Sequence, residues 1–539
     1  MQKINKRTLL LSFIFILILL VVALLIGKFT YSYLGADISD DVEGSGEVTA
    51  SGDTIIFTKG NNLSLSATTD NFKTGGENLT DTTNPKVKLM ASSKTNSASS
   101  KYSAGVIIKN NTYSYTTTDK KPEVILTVKD ENGNIVESST DNLTFVTVND
   151  NLKGFDITGV NGAFNIVSDH AIATEKNKTQ VIHTWTFTLT FVNLGTDQSN
   201  NENASLEMDV VLQKDKIPTS LADVCTSTDT LSNCIVKGYN EIGTLLNLYY
   251  HDSSLENGAG DNSYRYAGAS DQVNNYVCFG STQSPCPADN LYRIIGVFDG
   301  RVKLIKSDYA TSTLLGTDGD YKAAYSGSMS YYIGSLSTSD IVGYSWNYNG
   351  LPDNTGNNKY GSNTWSTSLL NKTNLNTNFI TNIGAEWAKK IDMTTWKVGG
   401  NTYDNIYIKP AKIAYQNEIV NPVTTNSTDN QKEYSAKIGL MYTSDYGFAA
   451  APSAWTANLN TYYGEAIKNV NWMYMGLNEW TISRIADYAN YVFRVTDIGS
   501  VNSSYASNAF GFRPVFFLSS LVSFASGSGT ATDPILVTY

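Results

Sequence analysis

The stretch His183–Phe191, "HTWTFTLTF", alternates without interruption. Trp185, Phe187, Leu189 and Phe191 fall on one face and the threonines on the other. Period two puts successive side chains on opposite sides of a strand, so this run predicts a strand with one buried side and one wet side. A chain that repeats such runs must stack sheets to cover their apolar faces. This chain does repeat them, in "TIIFTKG", "NLSLSATT", "PKVKLMASS", "AGVIIKNNTYSYTT", "LTFVTV", "FDITGV", "FNIVSD" and "SLEMDVVLQ". "PEVILTVKDENGNIV" reads as two strands around the turn Glu131-Asn132-Gly133-Asn134. Strands about ten residues apart, with turns between them and no helical period, predict one all-β sandwich over 53–215.

Composition agrees. Charged residues are 17 % of 539, and 33 tyrosines and 20 phenylalanines sit among many Asn, Ser, Thr and Gly. Aromatic and β-branched residues suit pleated surfaces, and Asn and Gly suit tight turns. The net charge of −11 argues against a nucleic-acid partner, because phosphate affinity is largely cationic. Three histidines leave little room for a multi-histidine metal site.

The N-terminus predicts a membrane anchor. Lys3, Lys6 and Arg7 precede the uncharged run Leu9–Gly27, which as a helix spans about 28 Å, close to one hydrocarbon core. Positive residues before the run place 1–8 in the cytoplasm and the bulk of the chain outside. Tyr33 and Leu34 stand where signal-peptide cleavage wants a small residue, which favours an uncleaved anchor over a removed leader. The expected product is a single-pass protein of the cell membrane. Residues 28–52, acidic and Gly/Ser-rich towards their end, read as a flexible stalk.

Four cysteines, Cys225, Cys234, Cys278 and Cys286, suit an exported chain with disulfides. Three pairings are open. Short spacings favour the sequential one, 225–234 and 278–286, over a zinc site, since no C-x-x-C pair or neighbouring histidine is present. Residues 216–263 read as a junction holding the first cysteine pair.

From 264 to 539 the texture becomes α+β. "LYRIIGVFDGRVKLIKSD" is a hairpin with Asp299-Gly300 at its turn. Ser366 or Thr367 is placed to cap a helix that buries Leu369 and Leu370, and Asn382 to cap a second through "GAEWAKKI". Strand-like runs follow in "NIYIKPAKIAY", "AKIGLMYTSDYGFAA", "NWMYMG", "EWTISRI", "NYVFRVTDIG" and "FGFRPVFFLSS".

Four pieces in order, the first hairpin, the helix around Trp365, Glu479-Trp480-Thr481 and Gly511-Phe512-Arg513, resemble the formylglycine-generating-enzyme/C-type-lectin-like fold of Gram-positive (Bacillota) surface proteins. The strand–turn–strand "VNLGTDQSNNENASLEMDVVL" resembles the end of TasA/camelysin-type exported β-sandwich proteins of biofilm matrix and surface fibres. The first resemblance implies a C-type-lectin-like domain with Trp365, Glu479, Trp480, Thr481, Arg484, Gly511, Phe512 and Arg513 as fold-defining residues. The second implies an Ig-like sandwich with a tendency to self-assemble.

Activities implied by these families find few of their residues. The oxidase chemistry of formylglycine-generating enzymes needs cysteines in the C-terminal half, and none follows Cys286. Lectin-type calcium ligands are present only in fragments, Trp346-Asn347 and Pro352-Asp353-Asn354 in reversed order. Asp318 and Asp320 in "TDGDY" are further oxygen donors without the rest of a calcium loop. "LPDNTG" at 351–356 has one residue too many for a sortase signal. Ser483 has no nearby histidine for a triad, and Glu465 with Glu479 is the carboxylate pair left for acid/base work. Arg484, Arg494 and Arg513 read as ties between strands, bonded to Asp or Glu. The expectation is a non-enzymatic, cofactor-free surface protein, with calcium as the one cofactor to test. Its distal module would bind an extracellular glycan or protein through Tyr331, Tyr332, Trp455, Tyr462 and Tyr463. A structural fibre is the alternative, and an enzyme of unknown type the second.

Overall fold

The computed structural model describes residues 45–539 apart from 51–52, 73–74, 93–96, 142, 177, 349–359, 424–430, 463–466 and 468. The expected tail 1–8 and anchor 9–27 lie outside the described residues, as does most of the stalk. Among the described residues no helix is long and apolar enough to cross a membrane. The stalk reading needs one correction. Ser45–Ala50 is a strand, paired antiparallel with Asp53–Thr58. An edge strand is held by main-chain hydrogen bonds to its neighbour, which Gly, Ser and acidic side chains do not prevent.

The chain divides into two compact units, one ending at Ile217 and one beginning at Pro218. In the first unit the described strands form three sheets. One joins Ser45–Ala50, Asp53–Thr58, Lys86–Met90 and Gln180–Thr184. The second joins Gly162–Ala173, Ser99–Lys109, Ser205–Gln213 and Leu63–Ser66. The third joins Leu79–Thr83, Thr186–Phe191, Val124–Lys129, Leu152–Asp156 and Phe145–Asn149. Side chains of all three share one core, including Leu89, Tyr102, Val106, Leu126, Trp185 and Phe187. The unit is all-β, as the alternation predicts.

The run 183–191 is not one uniform strand. Gln180–Thr184 pairs with Lys86–Met90, and Thr186–Phe191 with Leu79–Thr83 and Val124–Lys129. The change of sheet falls where the Trp185 amide donates to the Pro85 carbonyl at 3.0 Å. Pro85 has no N–H to continue a ladder, so both chains turn the corner together.

The second unit is β-rich with short helices. Its main sheet runs Ile438–Gly439, Val515–Phe517, Arg301–Lys306, Leu291–Phe298, Tyr276–Cys278, Ile535–Thr538, Ser523–Ser526. Ser263–Tyr266 adds Leu248–His251 on the Leu291–Phe298 side. The turn between Phe298 and Arg301 has positive φ at both Asp299 (48°) and Gly300 (73°), the conformation that Asp-Gly favours in a hairpin. Both disulfides are sequential, Cys225–Cys234 and Cys278–Cys286.

Four readings of this half are corrected. The junction read over 216–263 belongs to the second unit from Pro218 on. Leu221, Leu231, Cys234 and Ile235 pack in the second unit's core, and Leu231–Ile242 is a helix whose Thr230 hydroxyl accepts the Asn233 amide. "NIYIKPAKIAY" and "YTSDYGF" contain helices, Ala411–Tyr415 and Thr443–Phe448. Pro410 starts one, and Asp445 caps the other by accepting the Tyr442 amide at 2.9 Å. The helix after Trp365 is capped by Ser368, which accepts the Asn371 amide at 3.1 Å, rather than by Ser366 or Thr367. Asn382 caps nothing; its amide donates to the carbonyls of Thr313 and Leu314 at 3.0 Å.

Candidate functional site

Glu479–Arg484 is buried at every position. Each polar side chain there already has a structural partner. Glu479 takes a two-point ion pair from Arg513, Nε to Oε1 at 2.7 Å and Nη2 to Oε2 at 3.0 Å. The Trp480 indole donates to the Tyr344 carbonyl (2.8 Å), and the Thr481 hydroxyl to the Phe493 carbonyl (2.7 Å). Ser483 donates to Glu418, which also accepts from the Thr443 hydroxyl and the Ser444 amide. These residues hold the fold. The expected carboxylate tie is seen for Arg513. Arg484 donates to the carbonyls of Gly399 and Gln431, and Arg494 to the Asn478 side chain. Trp365 is buried against Trp346, with ring centroids 4.7 Å apart, and Phe512 is buried as well. The Glu479 main chain bridges to Gly511.

The expected ligand-binding aromatics divide. Tyr331 is 49 % exposed. Tyr332 spends its hydroxyl on Asp308 at 2.7 Å. Trp455 and Tyr462 are buried, and their polar atoms donate to the Ala450 and Ala454 carbonyls, so neither is free to meet a ligand. The segment looked like a loop because its spacing has no period, yet the unit closes over it. Tyr463 and Glu465 lie outside the described residues.

The carboxylate calcium donors Asp318 and Asp320 are engaged too. Asp320 is buried and accepts the amides of Tyr348 (3.0 Å) and Leu370 (2.9 Å); Asp318 accepts the Asn378 amide at 2.6 Å. Asn347 donates to the Thr364 carbonyl and the Thr367 hydroxyl. Asp353 and Asn354 lie outside the described residues.

A different aromatic surface emerges on the sheet Glu479–Arg484, Tyr491–Val495, Val501–Tyr505. Tyr491 and Tyr505 are directly opposite in register, with ring centroids 4.5 Å apart. Tyr360 stacks on the far side of Tyr505 at 4.4 Å, and Tyr488 meets Tyr491 edge-on at 5.6 Å. The four rings form a row. Tyr488 is 55 % exposed, and the other three are partly exposed. The turn carrying Tyr488 is pinned from below. Asn363, fully buried, donates to the carbonyls of Ile485 (2.8 Å), Tyr488 (2.5 Å) and Tyr491 (2.9 Å). Burial, then the neighbouring Tyr505 hydroxyl, pushes the Tyr491 phenol up to about 12, so it stays a neutral donor at physiological pH. No local sequence pattern marks this row, because its members come from three separate segments.

The first unit holds a second arrangement that the histidine count argued against. Glu131, His170 and His183 converge, each able to offer one ligand atom within 4.8 Å of the others. His170 Nε2 lies 3.0 Å from Glu131 Oε2, and His183 Nδ1 lies 3.9 Å from the same oxygen. Tyr102 hydroxyl sits 2.9 Å from His183 Nδ1 and accepts the Trp185 indole N–H at 2.7 Å. Burial lowers the His183 pKa, Glu131 raises it and His170 lowers it; the net direction is down, towards the neutral imidazole that binds metals.

Compared with protein-family models and with curated proteins, the chain matches none.

Proposed function

We propose that this chain is a bacterial cell-surface binding protein, anchored in the membrane by residues 9–27, with an Ig-like sandwich bearing a C-type-lectin-like module. The observation that carries the binding role is the row Tyr488–Tyr491–Tyr505–Tyr360. Tyrosine offers a large flat face and a polar tip with few rotatable bonds, which suits stacking on a sugar ring or packing on a protein loop. The row is held by main-chain register and by Asn363, so little side-chain freedom is lost on binding. Two disulfides support an extracellular setting. The ligand class favoured by this surface is a neutral glycan, with an extracellular protein as the other class to test. A fibre-forming role rests on the TasA-like resemblance.

The test is a glycan and matrix-protein array probed with the full chain and with its Tyr488→Ala/Tyr505→Ala variant, in calcium and in chelator. Saturable binding that the variant loses supports the reading. Binding that survives in the variant moves the site elsewhere, and loss in chelator alone makes calcium a cofactor. No binding to any surface sinks the adhesin reading.

A further inference from the structure

Three donors reach one point in the first unit from three different sheets. His170 lies on Gly162–Ala173, His183 on Gln180–Thr184, and Glu131 in the turn that follows Val124–Lys129. The backbone is shaped to bring them there. The pairing of Gly162–Ala173 with Ser99–Lys109 shifts register between Val167 and His170, and Asp169 takes a positive φ of 57°. Such a bulge re-aims the next side chain. Glu131 is set by its neighbour: Asp130 accepts the amides of Asn132 (2.9 Å) and Asn134 (2.8 Å), closing the turn on itself. His183 Nδ1, the nitrogen that faces Glu131, also meets the Tyr102 hydroxyl at 2.9 Å, so a cation would take that lone pair in place of Tyr102.

An ordinary ion pair between His170 and Glu131 would need one imidazole. It gives no reason for the second imidazole to approach the same carboxylate oxygen at 3.9 Å, with the two rings 5.7 Å apart. Two ligands on one tetrahedral cation, each about 2.0–2.1 Å from it, lie about 3.3 Å from each other. The observed separations of 3.0 and 3.9 Å bracket that value. The side chains are 12–23 % exposed, so the point is sheltered yet open to solvent.

We propose that Glu131, His170 and His183 form a binding site for a first-row transition cation of the Zn(II)/Cu(II) class. Two imidazoles and a carboxylate suit these ions and discriminate against Ca(II) and Mg(II), which prefer all-oxygen shells. Three protein ligands leave a fourth position for water. The cation clamps three sheets together at one corner.

The experiment is calorimetric titration of the tag-free full chain, freed of metal by chelator, with Zn(II), Cu(II) and Ca(II). One equivalent of Zn(II) or Cu(II) is expected, with no Ca(II) heat at this site. Affinity should fall at least tenfold in each of His170→Ala, His183→Ala and Glu131→Gln. A readout independent of the variants' folding is the Cu(II) electron paramagnetic resonance spectrum of the wild-type chain. It should show two coordinated imidazole nitrogens, for which His170 and His183 are the source: the third histidine, His251, is buried and accepts the Ala259 amide. No transition-metal binding, binding unchanged in the variants, or a spectrum without two imidazole nitrogens would overturn the proposal.

Discussion

The two units hold clusters built from the same kinds of side chain in opposite surroundings. In the second, Glu479 and Arg513 are sealed from water, and a guanidinium nitrogen meets each carboxylate oxygen. Lys303 likewise meets Asp445 at 2.5 Å, with Arg265 3.7 Å from the same carboxylate. In the first, Glu131, His170 and His183 are partly exposed and share one oxygen between two rings. A buried charge paired with its opposite is architecture, because any change leaves its partner stranded. A half-sheltered set of donors with a free side is able to take on something else. Charge and residue type alone do not separate the two; exposure does.

The largest effect that tests this contrast is on the sealed side. Arg513→Met leaves Glu479 buried without its cation and should cost about 3–5 kcal/mol, read in urea as a drop in the second unit's transition. Adding Glu479→Gln should recover part of the loss. If Arg513→Met costs no more than an ordinary surface change, the pair is not the tie described here.

Next comes pH. His251 is packed against Phe448 and Trp455, its Nδ1 accepts the Ala259 amide at 3.0 Å, and burial, then Arg265, pushes its pKa down to about 3, with Asp261 opposing. A depressed folded pKa means that the unfolded chain binds the proton first as pH falls. The neutral imidazole's stability is complete above about 6.5 and is lost on the way down towards 3. The loss should reach about 3 kcal/mol between pH 6.5 and pH 4. Burial raises the Glu418 carboxyl, which works in the opposite sense, so the measurement is the difference between wild-type and His251→Leu stability curves. Parallel curves would refute the assignment.

On the open side, a cation held at a hundred times its dissociation constant should stabilise the first unit by about 2.7 kcal/mol. Scanning calorimetry should show the first unit's transition move with Zn(II) while the second stays. His183→Ala should abolish the shift. Movement of both transitions would place the cation elsewhere.

The smallest stability effect is expected at the tyrosine row. Tyr488→Ala, at a ring more than half exposed, should change folding stability by no more than about 0.5 kcal/mol while weakening any glycan binding. A large stability loss would make Tyr488 a packing residue and remove it from the binding surface.

Much of the fold was legible, and for local reasons. The hairpin Leu291–Lys306 follows from two apolar runs around Asp299-Gly300, and the two disulfides close loops too short to need help from elsewhere. The errors were also local. "NIYIKPAKIAY" alternates like a strand, but no sheet edge receives it, and Pro410 starts a helix instead. Trp455 and Tyr462 sit in a stretch without periodicity, and tertiary closure buried them. The candidate sites were hidden because they are assembled across distance. Tyr360 meets Tyr505, and Glu131 meets His170 and His183, through strand pairings and a bulge that no short window contains.

Sequence alone determined the all-β character of the first unit, the turn at Asp299-Gly300 and the expectation of an anchored, exported chain, and it favoured the sequential disulfide pairing that the structure shows. Each is decided by a residue and its near neighbours, through side-chain alternation, backbone preference or loop length. Only the tertiary structure decided which polar residues are sealed and which remain available. That depends on what the rest of the chain places against them, and solvent exclusion is a property of the packed whole.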